Sequence, residues 1–227
     1  MASRWRGQPG RLEVWYTTLS DPATGTGGWL HHELVAPADR GPAYAHGWVA
    51  VFPPDGEPVF DRFGRCPWQP ADGLVFLAGP VQVGADRLTG RVGDIRWDLT
   101  MNGGGRPLFT FPRWAWHREL LPAALRLDGV DHPGGDPLLA TLRLRADVNL
   151  PTWRVRGRIG DHQLDVTVTQ PAERTITVEY RNPDGTRAVC RNTERATAEI
   201  TWRPRTGPAA RRWRLDGTAH AEVGGRE

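Results

Sequence analysis

The chemistry this sequence offers is concentrated before residue 50, in the carboxyls of Glu13 and Glu33, the imidazole of His46 and the phenols of Tyr16 and Tyr44. Glu13 stands two residues before Trp15, and on a strand that spacing sets carboxyl and indole on one face. If the face lines a cavity, loss of hydration raises the carboxyl pKa, so that Glu13 or Glu33 stays protonated near neutrality and donates a proton to an alkene. Trp15 and Trp48 then stabilise cationic character through their ring faces. A cycloaddition asks for less: a flexible polyene folded into its reactive conformer, and one hydrogen-bond donor from Tyr16, Tyr44 or His46 to polarise a carbonyl.

Other chemistries find no footing. The sequence contains no lysine, which removes Schiff-base mechanisms, and its only serines are Ser3 and Ser20, with no G-x-S-x-G elbow. His31 and His32 are adjacent on a strand and point to opposite faces, so they do not share a metal, and no H-E-x-x-H spacing exists. Gly103-Gly104-Gly105 lacks the Lys-Ser/Thr of a phosphate loop. No metal and no cofactor are therefore expected. Cys66 and Cys190 have no C-x-x-C spacing and read as free thiols in a reducing compartment. The net charge of +3 is mild. Arg154, Arg156 and Arg158, with Arg143 and Arg145, read as a solvated strand face, so no nucleic-acid partner is expected. The stretch RPRTGPAARRWR near the C-terminus reads as a basic loop.

These groups must be held by short strands. The 227 residues suffice for one substantial core, and 27 Gly and 20 Pro interrupt nearly every apolar run. Strands are expected at 12–19, 29–35 and 44–52, then at 74–77, 81–83, 88–92 and 95–101. After a turn-rich stretch they resume at 139–148, 153–159, 163–169, 175–181, 187–192, 196–202 and 213–223. Asn182-Pro183-Asp184-Gly185 is a hairpin turn. One helix is expected over PRWAWHRELLPAA, starting at Pro112 and stopped by Pro122, with Trp114, His117 and Leu121 on its apolar side and Trp116 and Leu120 widening it. So many alternating strands with one short helix make an antiparallel barrel or sandwich. No run of about 18 apolar residues occurs and MASRWRGQPG lacks an apolar leader core, so no membrane insertion and a cytoplasmic location are expected.

Facing is the open question. A first hairpin centred on Thr24 sets Trp15 opposite Glu33 and Thr17 opposite His31, whereas an odd-sum register exchanges the partners. In the third strand Tyr44, His46, Trp48, Ala50 and Phe52 share one side, and Ala43, Ala45, Gly47, Val49 and Val51 the other. Either the small residues pack a filled core, or Trp15, Trp29 and Trp48 with a few polar groups line a ligand cavity.

The run Glu13-Val14-Trp15-Tyr16, the DPATGTG turn with Trp29, the strand from Ala45 to Phe52, GRVGDIRWDLTM (90–101) and LFTFPRWAWHRELLP (108–122) together resemble a lipocalin-like group. It contains hydroxyneurosporene synthase (carotenoid hydratase) and tocopherol-cyclase-like proteins, and lipocalin-like Diels-Alderases are similar in architecture. The resemblance implies an all-β, antiparallel lipocalin-like (calycin) barrel, or two packed barrel or sandwich halves with one short helix. Residues 1–122 would form the first half, and 123–227 would complete it or build a second small barrel. It also implies a cyclase or isomerase of secondary metabolism acting on a hydrophobic polyene, terpenoid or polyketide, by cycloaddition or by acid-catalysed cyclisation or hydration. Glu13, Trp15, Tyr16, Trp48 and Trp97 match positions of the group, and His46 stands where an acid is expected. Glu13, Glu33, His46 and Tyr16 are thus the expected catalytic residues. Trp15, Trp29, Tyr44, Trp48, Trp97, Trp116 and His117 are expected to hold the substrate. The alternative is a carrier or sensor of the same kind of metabolite.

Overall fold

A computed structural model describes residues 3–102, 143–159, 162–204, 207 and 209–226. Among them the regular structure is antiparallel strand, apart from one 3-10 turn at Ala172–Arg174. The expected helix, with Trp116 and His117, lies outside the described residues. A first sheet runs in sequence order through β1 (Arg11–Ser20), β2 (Gly27–Ala36), β3 (Tyr44–Phe52) and β4 (Val59–Pro67). A second follows as β5 (Leu74–Ala78), β6 (Val81–Gly84), β7 (Arg87–Val92) and β8 (Ile95–Thr100). The third contains β9 (Arg143–Asn149), β10 (Thr152–Ile159), β11 (His162–Thr169), β12 (Ile176–Arg181), β13 (Arg187–Pro204) and β14 (Arg211–Arg226). Among the described residues no sheet closes on itself, since closure would need its first and last strands to pair. The described residues are therefore an all-β, antiparallel assembly of open sheets rather than a closed barrel.

Two compact units interleave along the chain: Met1–Gly104 with Ile176–Glu194 and Glu222–Glu227, and Gly105–Thr175 with Arg195–Ala221. In the second unit a small-residue core of Val168, Ala196, Ala198, Ala219 and Ala221 is flanked by Trp153 and Val166. In the first unit the first sheet is buried on both sides. On one side Leu30, Ala45, Val49 and Phe63 pack with Val75, Phe76, Val81, Leu88 and Trp97 of the second sheet. On the other, Trp29, Trp48, Ala50 and Phe52 pack with Val178 of β12 and Cys190 of β13.

This double cover explains the composition of β2, GGWLHHELVA, every residue of which is buried. Its glycines allow close approach: a Cβ on Gly27 would lie 2.4 Å from Cβ of Glu194. On β3, a Cβ at Gly47 would lie 2.0 Å from the His31 carbonyl oxygen and 2.5 Å from the Phe63 ring. The RPRTGPAARRWR stretch is not wholly a loop, because β14 begins at Arg211.

Candidate functional site

A central strand buried on both faces should be apolar, because an unpaired polar or charged group loses its hydration without return. β2 breaks this rule at three consecutive positions: His31 is 8 % exposed, His32 0 % and Glu33 2 %. Alternation sends His31 and Glu33 to one face and His32 to the other.

The register of the first hairpin decides their neighbours. It has the odd sum, pairing Val14 with Glu33, Trp15 with His32, Tyr16 with His31 and Thr18 with Trp29. Trp15 is therefore not opposite Glu33, and the two lie on opposite faces. Across the next pair, His31 faces Trp48 and Glu33 faces His46. One face of the sheet thus gathers Tyr16, Trp29, His31, Glu33, Tyr44, His46 and Trp48.

Glu33 is the centre of this group. Its Oε1 accepts a hydrogen bond from Nε2 of His31 at 2.9 Å. Its Oε2 lies 2.8 Å from Nε2 of His46, a close electrostatic contact that falls off the line of a good hydrogen bond. Burial pushes the Glu33 pKa up, but the bonds and charges of the two imidazoles outweigh it and hold the carboxyl at about 2. This reverses the sequence-based expectation that burial keeps Glu33 protonated: it is a carboxylate.

The indoles complete the enclosure. Trp48 stacks on His31 with centroids 4.1 Å apart and planes 8° from parallel, and Trp29 meets the same imidazole edge-on at 5.4 Å. Tyr16 stacks more loosely on His31 at 6.3 Å. Tyr44 lies 5.4 Å from His46 and carries the Arg65 guanidinium at 4.7 Å over its ring. Three groups on the facing strands add polarity. Asn192 donates through Nδ2 to Glu222 Oε2 at 3.3 Å, Glu194 is 2 % exposed, and Cys190 is buried. Burial, followed by the charges of Glu222 and Glu194, raises the Tyr16 phenol, so it remains protonated. Burial together with Glu222 pushes the Cys190 thiol up as well, so it is no thiolate nucleophile.

Several polar atoms on this face are buried without a hydrogen-bond partner among the described residues: Nδ1 of His31, Nε1 of Trp29, Nε1 of Trp48 and Oδ1 of Asn192. A buried orphan costs about 1–3 kcal/mol, and such atoms are few in native proteins. They are concentrated around the imidazole of His31.

The remaining expected site residues lie elsewhere. Glu13 is on the opposite face near the sheet edge, where its Oε2 accepts from Ser3 Oγ at 2.9 Å and from the Arg4 amide at 3.1 Å. Trp15 stacks on Trp68 with centroids 6.3 Å apart, and Trp97 belongs to the same core as Trp15, against the second sheet. Thus Glu33, His46, Tyr16, Trp29, Tyr44 and Trp48 are brought together, and Glu13, Trp15 and Trp97 are not of their group. Sequence reasoning weighed His31 only as a metal ligand and missed it as the partner of Glu33. The i, i+2 spacing of His31 and Glu33 on a strand was the available signal. Glu194, Glu222 and Asn192 had none, since they lie roughly 160 to 190 residues further along the chain. Among the described residues, no group of three or more His, Cys, Asp or Glu side chains is arranged to hold a metal ion.

Comparison with known proteins gives a consistent but narrow answer. Two relatives from Mycobacterium tuberculosis, Uncharacterized protein MT0513 of strain CDC 1551 / Oshkosh and Uncharacterized protein Rv0493c of strain ATCC 25618 / H37Rv, are each 36 % identical to this chain. The match covers 97 % of this chain and 88 % of each relative. The chain belongs to the family these two proteins represent. No family model and no solved structure matches it.

Proposed function

We propose that this protein is a cyclase or isomerase that moves a proton on a largely apolar polyene, terpenoid or polyketide guest at the aromatic face of the first sheet. The observation that carries the reading is the buried dyad of Glu33 and His31. A carboxylate that accepts the Nε2 proton orients the imidazole and turns its opposite nitrogen away, and that Nδ1 is here buried and without a hydrogen-bond partner among the described residues. Glu33 is the orienting group and His31 the proton carrier. The ring lies between the carboxylate of Glu33 and the stacked face of Trp48.

One turnover then needs two transfers. His31 Nδ1–H gives its proton to an alkene carbon or carbonyl oxygen of the guest, leaving the guest cationic beside Trp29 and Trp48. After bond formation or capture of water, the neutral Nδ1 takes a proton back, so that the catalyst is regenerated. His46, close to the other carboxylate oxygen, helps hold Glu33 in place.

The test uses purified protein in deuterated buffer with lycopene and geranylgeraniol as probes. Expected are products carrying one deuterium per turnover. His31→Gln and Glu33→Gln should each lower product formation at least about 100-fold while leaving quenching of tryptophan fluorescence by the same compounds intact. Turnover by both variants at the parent's rate would overturn the assignment. Quenching by the parent with no product formed would instead support the carrier reading.

A further inference from the structure

A second site, independent of the dyad, lies on the hairpin of β7 and β8. These strands pair Thr89 with Asp98, Gly90 with Trp97 and Arg91 with Arg96. Residues directly opposite in an antiparallel pair point to the same side, so two guanidinium groups stand side by side, and like charges so placed repel. The neighbouring arginine is arranged quite differently. Arg87 makes a two-pronged pair with Asp98, Nε to Oδ1 at 2.8 Å and Nη2 to Oδ2 at 2.6 Å. Arg91 has only a 3.4 Å contact from Nε to the Gly93 carbonyl oxygen, and Arg96 has no hydrogen bond or ion pair among the described residues.

Both arginines line a hollow of about 340 Å³, together with Thr89, Gly90, Trp97 and Asp98. The indole of Trp97 lies flat on the backbone of Gly90, where an added Cβ would fall 2.1 Å from its Cζ2. Trp97 is 8 % exposed, yet its Nε1 has no acceptor among the described residues. The hollow therefore presents two uncommitted guanidinium groups, while the indole of Trp97, which alternates with Arg96 and Asp98 along β8, turns to the other face of the hairpin and into the core with Val75, Phe76 and Leu88. Its one acidic lining residue, Asp98, is already held by Arg87.

We infer that this hollow binds an oxyanion, specifically a phosphate group. Planar guanidinium forks match oxygens in pairs, and a tetrahedral dianion offers enough oxygens to engage both arginines at once. Binding would also remove the repulsion between Arg91 and Arg96. The volume admits a small phosphate ester rather than the bare ion alone.

The experiment is calorimetric titration of the whole protein with inorganic phosphate at low salt, beside parallel titration with acetate. Saturable phosphate binding is expected, at least tenfold weaker in Arg96→Ala and undetectable in Arg91→Ala/Arg96→Ala, and unchanged in Arg11→Ala, which removes one positive charge elsewhere. Phosphate should raise the unfolding temperature of the parent more than that of the double variant, which also shows that the variant folds. Equal binding by parent and double variant, or the lack of saturable binding to the parent, would overturn the inference. Acetate bound as tightly as phosphate would overturn the phosphate assignment.

Discussion

The two faces of the first sheet are made from the same four strands, yet they solve burial in opposite ways. Toward the second sheet, Leu30, Leu34, Ala45, Val49 and Phe63 form an ordinary apolar layer, and the polar His32 is tolerated by being neutral. Its Nδ1–H donates to the Trp15 carbonyl oxygen at 2.9 Å, and its ring sits among Phe63 and Phe76. Burial lowers its pKa to about 4 because a cation there would have no counter-charge. One residue away, His31 is buried to a similar degree but faces a carboxylate. Adjacent histidines thus differ by what lies opposite them, and a buried polar group becomes a chemical one only where a charged partner is buried with it.

The comparison is broken most severely at Glu33. Glu33→Ala leaves two buried imidazoles without their carboxylate, and the loss of a buried partner should cost about 3–5 kcal/mol, read as a lower urea midpoint with unchanged slope. The same residue predicts an acid limb. Its folded pKa of about 2 lies below the unfolded value of 4.5, so its contribution is complete above pH 4.5 and is lost as pH falls towards 2.

The opposite face predicts a different pH window. His32 titrates near 6.5 when unfolded and at about 4 when folded. Between those values the unfolded chain binds more protons, so stability is full above pH 6.5 and declines by about 3 kcal/mol as pH falls to 4. His32→Gln should flatten the profile between pH 6.5 and 4. Unfolding midpoints measured at several pH values check it, and the parent's slope persisting in the variant would overturn the His32 assignment.

Smaller effects sharpen the picture. Gly47→Ala drives a methyl into the His31 carbonyl oxygen and the Phe63 ring, and should cost about 1–3 kcal/mol by overpacking, seen as a lower melting temperature. Arg87→Ala, which removes a fully exposed ion pair, should leave the melting temperature unchanged within error.

Much of the framework was legible in the chain. Alternation located nearly all the strands, and the third matched its expected bounds at Tyr44–Phe52. The turn at Asn182–Gly185 closes as read, the Gly185 amide donating to the Asn182 carbonyl oxygen at 2.9 Å. β4 escaped notice because VFDRFGRCP carries charges and a glycine in place of clean alternation, and its pairing with β3 shifts register between Ala45 and His46. β13 was read as two strands because Thr193-Glu194-Arg195 interrupts the apolar pattern. It stays extended because β12 pairs along its first part and β11 along its last.

By itself, the sequence determined the fold class, the two-faced character of β3 and the placing of His31 and Glu33 on one side of a strand, because side-chain alternation is a local property of extended backbone. Only the tertiary structure decided that the first hairpin takes the odd-sum register, that both faces of β2 are covered, and that Glu33 is ionised between two imidazoles. Those outcomes depend on which strands pair and what packs above them. His31 is a local neighbour of Glu33, but His46 reaches the other carboxylate oxygen from a paired strand, and no local pattern specifies that pairing.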